Sequence, residues 1–294
     1  MTREEVFTWD GIRAGITIHE PGEGLDGSRS LPLSRSLTLY LHGGGLLYGE
    51  RDDLPKPYVD AFVARGCKLM LADYPLAPET PIRGINAFVD GLWQWVAGTM
   101  ASLLGAERIF VFGRSAGAYL ALTLSSRIAQ SGSPVRPTGV IDFYGYGDMC
   151  DERLTVASKH YQQYSPVSSD SIRDIVSDAP VTSGPMSERY SLYVYARQNG
   201  CWQSMLGLQP DERDPNALTP SRQSGMPPVF YAASTADEDV PYAVSKSLAR
   251  ALHAKMFTAY GLEHDFDRDI DNPAGLEAYE KCLDWMEGLV QDKA

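Results

Sequence analysis

Val111-Phe112-Gly113-Arg114-Ser115-Ala116-Gly117-Ala118-Tyr119 is where this chain turns from packing to chemistry. Just before it, Arg108-Ile109-Phe110-Val111-Phe112 is a short β-branched and aromatic run, which predicts a buried strand. Just after it, Ala118-Tyr119-Leu120-Ala121-Leu122-Thr123-Leu124 predicts the start of a helix. The turn between them reads Gly-x-Ser-x-Gly. Such a turn throws its serine onto a sharp bend, so that the hydroxyl projects from the edge of the sheet. The flanking glycines are required because a Cβ on either side would collide with neighbouring strand and helix backbones. The helix that starts here also turns its free amides and positive dipole end toward any negative charge that develops. On its own the pentapeptide fits a Gly-rich turn with an idle serine equally well, so the rest of the chain decides.

Outward from Ser115, strand and helix patterns alternate. Residues 5–20 alternate polar and apolar, which suggests two antiparallel strands, and residues 21–36 read as a surface loop. Leu37-Thr38-Leu39-Tyr40-Leu41 predicts a buried strand that runs into His42-Gly43-Gly44-Gly45. A helix is expected over about 58–65, then a strand at Cys67–Asp73 and a proline-rigidified loop, Asp73-Tyr74-Pro75-Leu76-Ala77-Pro78-Glu79. Residues 83–104 have helical periodicity, and Gly139–Tyr144 reads as a strand. From 146 to 222 the alternation lapses into a Tyr-, Ser-, Asp- and Pro-rich stretch, with helical pieces near 151–164, 169–178, 188–197 and 199–207. It then resumes with a strand at 228–233, a helix at 241–254, a strand at 255–260 and a last helix at 274–291. The expectation is an α/β chain with a mostly parallel sheet and helices on both faces. Its core would be 1–145 with 223–294, and 146–222 an inserted helical cap.

A serine hydroxyl is a poor nucleophile until a base takes its proton, and the base needs an orienting acid. In a parallel sheet these groups belong just past the C-terminal ends of strands. His264 is the candidate base, because it sits on the loop between the last strand and the last helix. His19, His160 and His253 lie in the hairpin, the insert and a helix end, and His42 reads as a support for the glycine loop. Asp237 follows the preceding strand and is the candidate acid, while Asp239, nearer Pro241, reads as a helix cap or dipole partner. The order Ser115, Asp237, His264 is the one expected of a hydrolase built on such a sheet. His42-Gly43-Gly44-Gly45 supplies unobstructed backbone amides for an oxyanion, together with the amide of Ala116.

Composition narrows the field. The chain has 294 residues, 44% of them hydrophobic, and a formal net charge of −12. That charge, with no basic run, argues against nucleic acid and anionic membrane as partners. No apolar stretch approaches transmembrane length, and no signal-peptide core follows Met1. Four cysteines, Cys67, Cys150, Cys201 and Cys282, are scattered without metal-like spacing; Cys67 and Cys282 sit in apolar runs and read as buried thiols. The expected compartment is the cytoplasm, with reduced cysteines. An exposed last strand and helix would suit a homodimer.

His42-Gly43-Gly44-Gly45, Asp73–Glu79 and Gly113-Arg114-Ser115-Ala116-Gly117 together resemble the hormone-sensitive-lipase-like branch of the α/β-hydrolase fold, mostly bacterial carboxylesterases. The resemblance runs over about 37–145 and 226–290. It implies a Ser115–Asp237–His264 triad, oxyanion amides from Gly44, Gly45 and Ala116, structural roles for Asp73 and Glu79, and no metal or organic cofactor. The implied activity is hydrolysis of a small-molecule ester through an acyl-enzyme. The same machinery could open amides or lactones, and the fold without the reaction would make a binding protein. Three departures stand out. Arg114 replaces the usual Asp before the serine, His264-Asp265-Phe266 replaces His-Gly-Phe, and the segment before the glycine motif is short. Arg114 is expected to shape specificity or local structure, paired with Asp73 or with an acid near the oxyanion loop. The insert's Tyr161, Tyr164, Tyr190, Tyr193, Tyr195 and Trp202, with Tyr144 and Tyr146 at its entry, are expected to wall off a compact pocket for short acyl groups.

Overall fold

The computed structural model describes residues 1–22 and 31–291. Half of the loop expected over 21–36 therefore lies outside the described residues. The chain opens with β1 (Thr2–Trp9) and β2 (Ile12–His19), paired antiparallel. Asp10 and Gly11 make the turn between them, both at positive φ (48° and 78°). That turn geometry matches the right-handed twist of the flanking strands. The remaining strands are β3 (Ser36–Leu41), β4 (Lys68–Ala72), β5 (Arg108–Arg114), β6 (Gly139–Phe143), β7 (Val229–Ser234) and β8 (Lys255–Ala259). All eight form one sheet in the order β1-β2-β4-β3-β5-β6-β7-β8, parallel from β4 through β8.

The central strands are buried on both faces, so they read as largely apolar runs rather than as alternations. Successive residues still part company. Leu39 and Val111 join one apolar cluster, Tyr40 and Phe112 the other. Helices Ile82–Trp95 and Ala116–Ser131 cover the first face. The first of them does so with Ile82, Ile85, Phe88, Val89 and Leu92, a stripe at helical spacing. Helices Lys56–Ala64 and Pro273–Gln291 cover the second face. The helix expected over 83–104 runs to Trp95 and then loosens into a π turn, Val96–Met100, before one last helical turn. Cys67 and Cys282 are buried, as read from their apolar surroundings.

The chain between β6 and β7 holds the short helices Glu152–Thr155, Tyr161–Gln163, Ser169–Arg173, Trp202–Met205 and Pro220–Gln223, and one long helix, Met186–Asn199. The single helix expected over 151–164 is thus broken in two. Its backbone groups are used elsewhere: the Ser158 amide donates to the Arg197 carbonyl, and the Leu154 carbonyl accepts from the Arg197 guanidinium. Buried polar backbone must find partners, and here the neighbouring helix supplies them. Leu154, Tyr161, Leu192, Trp202 and Leu206 pack into the same apolar cluster as the sheet's first face.

From β3 the chain steps outward to β4, and then crosses back to β5 on the other side of β3. The sheet's switch point therefore falls between β3 and β5, where loops leave in opposite directions and open a crevice. His42–Gly45 leaves the end of β3 and Ser115 the end of β5, and Leu41 pairs with Gly113 across that gap.

Candidate active site

Ser115 sits at φ 52° and ψ −116°, a left-handed backbone that a non-glycine residue adopts only when its surroundings force it. The forcing is visible. Its amide donates to the Phe143 carbonyl at 2.8 Å, which ties the bend to β6. A Cβ on Gly113 would run into the Gly117 backbone, and one on Gly117 into the Leu41 carbonyl. The two glycines let helix and strand close around the serine.

The structure brings Ser115, His264 and Asp237 into one chain of hydrogen bonds. His264 Nε2 lies 2.9 Å from Ser115 Oγ, and its Nδ1 lies 2.8 Å from Asp237 Oδ2. The other oxygen of Asp237 accepts the amides of Asp239 and Val240, each at 2.8 Å. Those amides hold the carboxylate in place and leave Oδ2 to orient the imidazole. Burial alone would push the His264 pKa down. The facing Asp237 carboxylate, helped by Asp265 and Asp239, outweighs it and raises the pKa above the usual imidazole range. The ring of Tyr144 meets the imidazole edge-on at 4.7 Å.

The glycine loop closes the other side of the serine. A Cβ on Gly43 would stand 3.5 Å from Ser115 Cβ, so that backbone passes close to the serine. Gly44 and Gly45 have φ of 106° and 60°, and side chains there would strike the Tyr48 carbonyl and the Tyr193 ring. Ala116 is the first residue of its helix, where amides have no intrahelical acceptor. His42 supports this loop as its sequence position suggested. Its Nδ1 donates to the Gly43 carbonyl at 2.8 Å, and its ring stacks on Tyr74 at 4.2 Å. Burial lowers its pKa to about 4, so the ring is neutral. Trp202 Nε1 donates to the Gly45 carbonyl, and a two-residue bridge joins Gly49 to Gly184. The segment between β6 and β7 thus packs against this loop.

Several expectations need correcting. Arg114 does not pair with Asp73, whose carboxylate is engaged by the Arg51 amide and guanidinium. Arg114 is buried and reaches Asp267 at 3.0 Å and, more distantly, Asp53 at 3.4 Å. Asp239 is not a helix cap. It is buried, and it accepts the hydroxyls of Tyr161 (3.0 Å) and Tyr193 (2.8 Å) beside the Arg197 guanidinium. Glu79 does support the structure, through a two-pronged pair with Arg189 of the insert. Of the aromatics expected to wall the pocket, Tyr161, Tyr164 and Tyr190 line a cavity of about 230 Å³ beside His264, with Tyr48 and Asp265 also in its lining. Tyr193 and Trp202 pack on the glycine loop instead, Tyr146 stacks on Tyr119, and Tyr195 lines neither space beside the site. A second cleft of about 210 Å³ lies over Gly43 and Gly44, bounded by Asp53, Arg114, Asp265 and Arg268. Among the described residues no cluster of His, Cys, Asp and Glu could hold a metal ion, and no helix is long and apolar enough to cross a membrane.

Comparison with known proteins agrees with the fold. The family model described as alpha/beta hydrolase fold matches residues 38–260. Hormone-sensitive lipase of Bos taurus is 36% identical over 116 residues, which are 38% of this chain and 15% of that protein. An esterase of Acinetobacter venetianus is 29% identical over 126 residues, 42% of this chain and 40% of that one. Among solved structures, an alpha/beta hydrolase superfamily protein of Enterococcus faecalis superposes with a TM-score of 0.83 at 28% identity, covering 98% of this chain and 99% of that one. A Staphylococcus aureus protein of unknown function gives 0.79 at 27% identity, with 99% of each chain covered. A Rhizomucor miehei esterase, at 19% identity and a TM-score of 0.68 over 100% of this chain and 85% of that one, shares the fold.

Proposed function

This chain belongs to the α/β-hydrolase fold family, in its hormone-sensitive-lipase-like branch, and from that premise we propose that it is a serine carboxylesterase acting on small, short-acyl esters. The observation that carries the proposal is the unbroken relay from Ser115 Oγ through His264 to Asp237. In this reading His264 Nε2 takes the serine proton as Oγ attacks the ester carbonyl. The oxyanion is met by the amides of Gly44, Gly45 and Ala116, fixed in place before the reaction and therefore free of reorganisation cost. His264 then passes its proton to the leaving alcohol, and an acyl group remains on Ser115. A water deprotonated by the same histidine releases the acid and restores the serine. Asp237 keeps Nδ1 protonated and stabilises the imidazolium throughout.

The size of the substrate follows from the insert, which in this reading is a cap over the serine. The cavity of about 230 Å³ is lined by Tyr48, Tyr161, Tyr164 and Tyr190, whose rings already touch in pairs, together with Met186 and the charged side chains around His264. Sites for drug-sized ligands run to about 300–1,000 Å³, so this one suits a smaller guest. A long acyl chain would have to displace packed rings, at about 1–3 kcal/mol.

The test has two parts. A fluorophosphonate probe should label the wild type and fail to label Ser115→Ala, whose turnover should drop roughly 10⁴-fold or more. On p-nitrophenyl esters, kcat/KM should peak between acetyl and butyryl and fall steeply beyond hexanoyl. Wild-type activity in Ser115→Ala refutes the mechanism. A maximum at decanoyl or longer refutes the substrate class.

A further inference from the structure

We propose that Arg114 and Asp267 form a buried strut that sets the distance between Ser115 and His264, a role that rests on the hydrolase reading above. Arg114 immediately precedes the serine, and Asp267 lies three residues beyond the histidine. Their side chains meet at 3.0 Å, with side-chain exposures of 5% and 0%. Tyr144 closes a triangle between them. Its hydroxyl accepts from Arg114 Nε at 2.7 Å and donates to Asp267 Oδ1 at 2.6 Å. Tyr279 donates to Asp267 Oδ2 at 2.8 Å, and Tyr58 to the Asp267 carbonyl at 2.8 Å. Every acceptor of Asp267 is thus engaged, and the loop bearing His264 is pinned at that residue.

The need for such a strut follows from the sheet. Ser115 leaves the end of β5, and His264 lies on the loop after β8. β6 and β7 stand between those strands, so their ends are three strand spacings apart, about 14 Å. No ladder hydrogen bond joins β5 to β8 directly. A proton transfer between Oγ and Nε2 nevertheless needs hydrogen-bond distance, and a displacement of about 1 Å can cost on the order of 10²-fold in rate. The strut spans this gap, and the Tyr144 ring it positions also meets the imidazole edge-on. Neither charge reaches the oxygen or nitrogen that reacts, so Arg114 and Asp267 are positioning residues. A buried ion pair adds little stability over well-packed apolar side chains, but removing one partner strands the other. The two roles can therefore be separated experimentally.

The experiment compares wild type, Arg114→Met, the double variant Arg114→Met/Asp267→Asn, and Tyr144→Phe, which removes only a hydroxyl. Thermal melts, kcat and KM on p-nitrophenyl acetate, and the rate of fluorophosphonate labelling at Ser115 are measured for each. Arg114→Met should lose thermal stability because Asp267 is left buried and unpaired, and the double variant should recover most of it. The double variant and Tyr144→Phe should lose roughly 10- to 100-fold in kcat and in labelling rate, with KM within about twofold of wild type. A purely structural ion pair would instead give back activity along with stability. A folded double variant with wild-type kcat and labelling rate overturns the strut, as does a loss confined to KM. Failure of the wild type to label at Ser115 overturns the hydrolase reading itself and is told apart by that result.

Discussion

Neutralising Asp265 should move the acidic limb of the pH–rate profile to lower pH. Its carboxylate lies 3.9 Å from His264 Nε2, on the side of the ring that faces Ser115. In the proposed mechanism His264 acts only when neutral, so activity should fall as the pH drops through its pKa. The surrounding carboxylates stabilise the imidazolium, hold that pKa above the ordinary imidazole value and place the limb above pH 6.5. At about 4 Å a unit charge pair is worth about 1 kcal/mol in bulk water and about 4 kcal/mol at an effective dielectric of 20. The Asp265 side chain is 30% exposed and Arg268 stands 3.8 Å from it, so the lower end of that range applies. About 1.4 kcal/mol corresponds to one pH unit. Asp265→Asn should therefore shift the limb down by about one unit, and the Arg268 charge it leaves unpaired acts in the same direction. Asp265 also holds φ at 53°, where the resembling family carries glycine. Asp265→Gly should then shift the limb equally and in addition raise stability by roughly 1 kcal/mol, as left-handed strain is relieved. The assay is kcat/KM for p-nitrophenyl acetate across the pH range, read at the isosbestic wavelength of the product. A limb that stays put or moves upward in both variants would refute the claim that Asp265 tunes the base.

Gly117→Ala should yield no folded protein at ordinary temperature, because its Cβ would lie inside the Leu41 carbonyl; expression and a thermal melt decide this, and a normal melt would contradict the packing described. Asp239→Asn should destabilise the fold by about 2–4 kcal/mol, since the Arg197 guanidinium loses its charged partner in a buried site. Tyr193→Phe removes one hydroxyl from the same cluster and should cost only about 1 kcal/mol in chemical denaturation. Equal losses in these two variants would show that the charge contributes nothing beyond a hydrogen bond.

The central strands were legible because each is a short, largely apolar run, and two of them end in a motif residue. Leu37–Leu41 stops at His42, and Arg108–Phe112 leads into Gly113. Burial on both faces produces that pattern, and it depends only on residues close in sequence. The insert was less legible for the opposite reason. Its helices are short and satisfy their backbone groups against one another, as Ser158 and Leu154 do against Arg197, so their ends are set by tertiary partners rather than by propensity. Helical spacing over 151–164 was present, but it did not decide the structure.

The candidate site divides along the same line. Ser115, Asp237 and His264 could be named in advance because chain order places each at a strand end, and the glycines because backbone contact excludes a side chain. The residues that hold them could not. Arg114 was visible as a departure, but its partner stands 153 positions away. The acids at 265, 267, 269 and 271 look equivalent as sequence. Only folding separates them. Asp265 faces the imidazole, Asp267 is buried against Tyr144 and Tyr279, and Asp269 and Asp271 face solvent. Asp237 and Asp239 divide in the same way: one orients His264, the other receives two tyrosines of the insert. An acid's role here is fixed by which hydroxyls and guanidinium groups reach it. Replacing the family's Asp before the serine with Arg114 therefore requires a buried acid to face it, and Asp267 meets that requirement from the loop that carries His264.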